Sequence, residues 1–206
     1  RDLQALDDQL SDASRYAGTP HLLAEDCLEG ALTARGLGKP RVEVDGRFMQ
    51  ARRAAVAAGS KALEFRVVYN WAWTVYFWFD DSLAHSSLFG EALDLVAENE
   101  DAEIVEKLAN LWSLLRMSVA AEKVLPEIAK IDERGKTLRS RLEVIAAIDA
   151  RPNNALQARS AVLFVALVDR QHDAPDRGFD DIWRSLLILA AKPSPWAQIF
   201  RRCSTG

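Results

Sequence analysis

Apolar side chains recur along this chain every three to four positions, and the recurrence breaks at glycine, proline and short polar residues. From Asp2 to Ala17 the residues Leu3, Leu6, Leu10, Ala13 and Ala17 fall at helical spacing, with charge largely on the opposite side. Gly18 ends this element. Thr19 then offers an N-cap and Pro20 a first-turn proline to a second helix, carried by Leu22, Leu23, Leu28 and Leu32 as far as Gly36. The two segments predict an antiparallel helical hairpin.

Residues 36–46 are the richest in turn formers, with Gly36, Gly38, Pro40 and Gly46, and predict an internal linker in which Val42 and Val44 form a brief extended segment. A helix is expected from Arg47 to Ala58. It sets Phe48, Ala51, Ala55 and Ala58 on one side and Arg47, Arg52 and Arg53 on the other, and Gly59 and Ser60 end it and cap its successor. Leu63 to Phe79 shows two periods at once. Every odd position is apolar, as on a strand face, yet Val68, Trp71, Ala72, Val75, Tyr76 and Phe79 also share one helical face. No second segment offers itself as a pairing strand, and an unpaired edge would leave backbone groups without partners, so the stretch predicts a central helix.

Further helices are expected over Ser87–Asn99, Asp101–Val124, Pro126–Ala150 with a weak point at Gly135, Asn153–His172 and Phe179–Lys192, with a short last one from Pro195. Asn153, Asp176 and Ser194 offer side-chain oxygens to the first turns of the last three. The fold class is therefore all-α: nine or ten helices packed as antiparallel pairs, in an α-solenoid-like array or an irregular helical bundle.

Composition adds bounds. The 206 residues suffice for a single helical domain spanning 1–206, and 49% hydrophobic against 27% charged is the balance of a folding chain. Beginning at Arg1 and ending on Arg201 to Gly206, it reads as a piece of a larger protein. A net charge of −4 argues against a dedicated nucleic-acid binder. Cys27 and Cys203 have no CxxC spacing, so no disulfide framework or thiolate metal site is expected and the cytoplasm is the simplest compartment. Val67 to Phe79 is shorter than the ~20 residues a membrane-spanning helix needs.

Two stretches echo one another. Ala92 to Arg116 (ALDLVAENEDAEIVEKLANLWSLLR) and Leu142 to Asp169 (LEVIAAIDARPNNALQARSAVLFVALVD) each run through an apolar and acidic helix end, a break and a second apolar helix. At a period of roughly fifty residues they resemble the α-solenoid families in general, close to the HEAT and armadillo pattern and departing from the tetratricopeptide one in period and signature. That resemblance implies an extended surface for a protein or peptide partner.

Candidate chemistry is sparse. Phe79-Asp80-Asp81-Ser82-Leu83-Ala84-His85 resembles in part the aspartate-rich magnesium motif of all-helical terpenoid synthases, with Asp80 and Asp81 as its carboxylates; separately, His85 stands at i+4 from Asp81 as a transition-metal pair, two ligands that do not close a site. The further acidic residue of that motif is replaced by Ala84, so the pair reads more simply as the polar exit of one helix and the cap of the next. Two basic groups, Arg47, Arg52, Arg53 with Lys61 and Arg66, and Arg134, Lys136, Arg139 and Arg141, could meet phosphates or simply line solvated helix faces. Gly36-Leu37-Gly38-Lys39 lacks the spacing of a phosphate loop. Of the six tryptophans, Trp71, Trp73, Trp78, Trp112, Trp183 and Trp196, most are expected in the core, as is Phe164, and an exposed one would mark an interface. The expectation is a helical interaction or scaffolding module, without cofactor, whose partner is another protein or the rest of its own chain. A metal-dependent helical enzyme and a nucleic-acid-binding array are the alternatives.

Overall fold

A computed structural model describes residues 2–96, 102–148, 151–174 and 178–191, and no strand occurs among them. They fall into two units, Arg1–Val96 and Ala97–Gly206. The first holds α1 (Leu3–Ser11), a 3-10 helix (Ala13–Tyr16), α2 (Pro20–Gly36), α3 (Arg41–Ala57), α4 (Lys61–Phe77) and α5 (Ser82–Leu95). The second holds α6 (Ala102–Ala120), the single turn α7 (Pro126–Ala129), α8 (Ile131–Ala146), α9 (Pro152–Asp173) and α10 (Asp180–Ala191). The all-α expectation is met.

In the first unit, helix ends follow side-chain caps. Asp2 accepts a hydrogen bond from the Gln4 N–H at 3.1 Å, and Asp12 accepts one from the Ser14 N–H at 3.1 Å. That second bond breaks the helix expected to reach Ala17 into α1 and a 3-10 turn. Gly18, at φ 77°, then reverses the chain.

The stretch 36–46 contracts to four residues, because α3 begins at Arg41 rather than Arg47 and Val42 and Val44 are helical, not extended. The reason lies in two local devices. The Lys39 N–H closes α2 on the Ala34 carbonyl at 3.1 Å past Gly38 at φ 67°, and the Pro40 carbonyl starts α3 by accepting from the Glu43 N–H at 2.9 Å. Two 17-residue helices joined by so short a turn and packed together must run antiparallel. Between them and α4 lies a core of Leu28, Ala31, Ala34, Val44, Phe48, Ala51 and Val67. Phe48 stacks on Trp71 with ring centroids 5.9 Å apart, and the Trp71 indole N–H donates to Asp45 Oδ1 at 2.7 Å. Cys27 is buried in the same core, a free thiol pushed up to about 11 by burial and by Asp26.

The segment with two periods is helical. Ser60 caps α4 by accepting from the Leu63 N–H at 3.3 Å. Leu63, Val67, Val68, Ala72 and Val75 are buried, and Phe65, Tyr69, Trp73 and Phe77, four residues apart, form a continuous ladder of ring contacts along another face. The strand-like alternation of odd positions is thus the trace of this aromatic ladder beside a separate aliphatic face.

In the second unit α6, α8 and α9 pack together around Leu108, Leu111, Trp112, Leu115, Leu138, Leu142, Ala158 and Val165. The expected break at Gly135 lies instead at Lys130, which adopts φ 50° between α7 and α8. Gly135 is buried inside α8, where a Cβ would stand 2.9 Å from Cη2 of Trp112 and only a glycine leaves room for that ring. Gly135→Ala is accordingly expected to lower stability by about 1–2 kcal/mol, the clash outweighing the helix-propensity gain, as measured by urea unfolding. Asn153 is not a cap: α9 starts with Pro152 at its first position and Arg151 before it. Phe164 is only half-buried, so its truncation costs less than a core position would. Of the two echoing stretches, the first begins in one unit and ends in the other, and the second lies wholly in the second unit. The expected caps Asp176 and Ser194, the helix from Pro195, Trp196 and Cys203 lie outside the described residues.

Candidate functional site

The carboxylates singled out in the sequence are held for structural purposes. Asp81 is the N-cap of α5: one oxygen accepts from the Ala84 N–H at 2.8 Å and the other from Arg41 Nη2 at 2.6 Å. Burial raises the Asp81 pKa, but the Ala84 N–H and Arg41 outweigh it and hold the carboxyl below the usual range. Asp80 is exposed at φ 48°, in the tight turn before it. His85 is fully buried on α5, edge-on to Tyr76 at 5.2 Å, and among the described residues neither ring nitrogen has a hydrogen-bond partner. Burial drops its pKa to about 4. Among the described residues no three His, Cys, Asp or Glu side chains gather as a metal-donor set.

Most of the basic residues face their own carboxylates. Arg47 grips Asp7 through Nη1 at 2.6 Å and Nη2 at 2.9 Å and also meets Glu43, and this guanidinium lowers the Asp7 pKa. Arg52 lies between Glu64 and Glu91, Lys61 reaches Glu64, and Arg66 meets Glu25 at 3.5 Å. In the second group Arg139 pairs with Asp169, Arg134 donates to the Ala129 carbonyl at 3.0 Å, and Arg141 is half-buried. Arg53 and Lys136 are exposed, as are Lys61 and Arg66. Cations neutralised in this way project little field onto a phosphate backbone.

A different feature stands out where the turn between α2 and α3 meets the turn between α4 and α5. Phe77 and Trp78, consecutive at the end of α4, are 51% and 50% exposed, and Leu83 on the first turn of α5 is 58% exposed. Two arginines, one from the last turn of α2 and one from the first residue of α3, lie over rings at this end. The Arg35 guanidinium lies 4.2 Å over the Trp78 ring, and that of Arg41 lies 5.6 Å over Phe79 while it holds Asp81 and Asp45. Leu37 is exposed at the same end. Phe77 is anchored from behind, stacked on Trp73 at 4.7 Å and edge-on to Tyr76 at 4.8 Å, so the surface is rigid as well as apolar. Trp78 is thus a half-exposed tryptophan, the feature expected to mark an interface. Leu83, Phe77 and above all Arg35 were not singled out: the sequence shows Arg35 only as a cation in the last turn of a helix.

The second unit offers a cleft of about 530 Å³ lined by Arg116, Lys130, Asp132, Glu133, His172 and Asp173, among others. Its buried Arg116 is spent on Asp169 and Asp173, and Asp169 also takes the Trp112 indole N–H at 2.9 Å, so these charges brace α6 against α9. On α10, Trp183, Leu187 and Ile188 form an exposed apolar stripe. No helix among the described residues is long and apolar enough to cross a membrane. Comparison with family models, curated proteins and solved structures finds no match for the chain.

Proposed function

We propose that the chain is a helical protein-interaction module that docks its partner on the aromatic end of the first unit. The observation that carries this reading is the half-exposed pair Phe77 and Trp78, the first stacked on the aromatic ladder and the second held under the Arg35 guanidinium. Covering the open halves of both rings would remove on the order of 200 Å² of apolar surface from water, worth about 5 kcal/mol before the costs of association. Rigid aromatics with little rotamer entropy left to lose are the side chains most often found as interface hot spots. The two other readings draw less support. Asp81 is committed to Arg41 and a helix cap, and the basic groups are largely committed to acidic neighbours.

A photo-cross-linking residue placed at Leu83 in the full-length protein is expected to trap a defined partner. Trp78→Ala should abolish that adduct and weaken binding of the purified partner by about thirtyfold, with the helical circular dichroism unchanged. Adducts equally abundant with and without Trp78 would overturn the reading.

A further inference from the structure

The partner's chemistry can be taken one step further, on the assumption that the aromatic end is the docking surface. Arg35 differs from its neighbours in the first unit. Arg41, Arg47, Arg52 and Arg66 each hold at least one carboxylate, whereas among the described residues Arg35 holds none. Its one hydrogen bond goes from Nη1 to the neutral Thr74 Oγ1 at 3.3 Å, and that hydroxyl spends its own proton on the Asn70 carbonyl at 2.7 Å. Its Nε is buried without an acceptor. Burial lowers the Arg35 pKa, and among the described residues no acidic neighbour opposes it.

Such a guanidinium is half-desolvated and under-compensated. The carbonyls at the end of α2 and the face of Trp78 offset part of the cost, but neither supplies the two-oxygen acceptor a guanidinium fork is built to grip. We infer that Arg35, laid over Trp78, is the receptor for a carboxylate of a partner protein segment, an Asp or Glu whose flanking apolar side chains cover Trp78, Phe77 and Leu83. The surroundings favour a peptide over a nucleic-acid phosphate. What flanks the guanidinium is exposed apolar surface, and Arg41, the other arginine laid over a ring at this end, is already neutralised by Asp45 and Asp81.

The test is selection of random peptides displayed on phage against the whole chain, followed by affinity measurement on synthetic peptides. The selected pool is expected to be enriched in an acidic residue beside aromatic or aliphatic ones. Changing that acid to its amide should weaken binding about tenfold. On Arg35→Gln, acid and amide peptides should bind alike, and Arg35→Lys should restore only part of the preference, because a lysine offers charge without the fork. Circular dichroism of each variant checks that it folds.

Peptides that depend on Trp78 but show no preference for the acid, or that keep it on Arg35→Gln, would overturn this inference and leave the docking surface standing. Selected peptides indifferent to Trp78→Ala, or no selected peptide at all, would overturn both. Displacement by millimolar inorganic phosphate, with acid and amide peptides bound equally, would mean a general anion site and equally overturn the inference.

Discussion

Trp112→Ala is expected to cost about 3–5 kcal/mol, read from the urea midpoint by far-ultraviolet circular dichroism, and to be among the most damaging single truncations in the second unit. The side chain is 1% exposed, its ring lies against the backbone of Gly135, and its N–H holds Asp169. Removing it leaves a cavity between α6 and α8 and takes one donor from a carboxylate that also faces Arg116 and Arg139. The same geometry predicts coupling. With Trp112 gone the clash at Gly135 disappears, so Gly135→Ala, harmful alone, should become neutral or mildly stabilising in the Trp112→Ala background. Additive effects in that double-mutant cycle would show that the two residues do not touch.

Acidification is expected to weaken the protein well before its carboxylates titrate. His85 has a folded pKa of about 4 against about 6.5 in an unfolded chain, so between those values the unfolded state takes up a proton that the folded state refuses. Stability is therefore full above pH ~6.5 and falls as the pH drops toward ~4, by about 3 kcal/mol in all. The carboxyls held low by their partners, Asp7 and Asp81 among them, lose their contributions only below their ordinary value of 3.8. His172, half-buried and shifted the same way by burial and Arg116, adds a smaller loss as the pH falls below its ordinary value of about 6.5, which solvent screens. The difference between the chain and His85→Leu isolates the buried ring. The variant should lack most of the acid loss and gain about 1–2 kcal/mol at neutral pH, since two buried nitrogens without partners are removed. Identical pH profiles would place His85 in contact with water.

Helix class and many boundaries were legible because local chemistry decides them: Gly18 before Thr19 and Pro20, and Gly59 before Ser60, mark the same breaks in sequence and structure. Elsewhere tertiary contacts overrode local signals. Val42 to Gly46 looked like a linker for its turn formers, yet it is the first turn and a half of a helix that packs on α2. Gly135 looked like a helix breaker, and only the position of Trp112, more than twenty residues away, explains it. The passage between units after Val96 carries no glycine or proline to announce it. Of the surface, Trp78 was legible as a large aromatic in search of a place. Arg35 was not, because an arginine without a carboxylate is a relation in space and leaves no spacing to read.

Cys27 gives the first unit an internal clock. A thiol sealed among α2, α3 and α4 and kept protonated cannot meet an alkylating reagent until those helices part, so its labelling in native buffer measures the opening itself. Followed across temperature, or before and after a partner binds, the modification rate at this one sulfur would give the free energy of that opening without denaturant or an engineered probe.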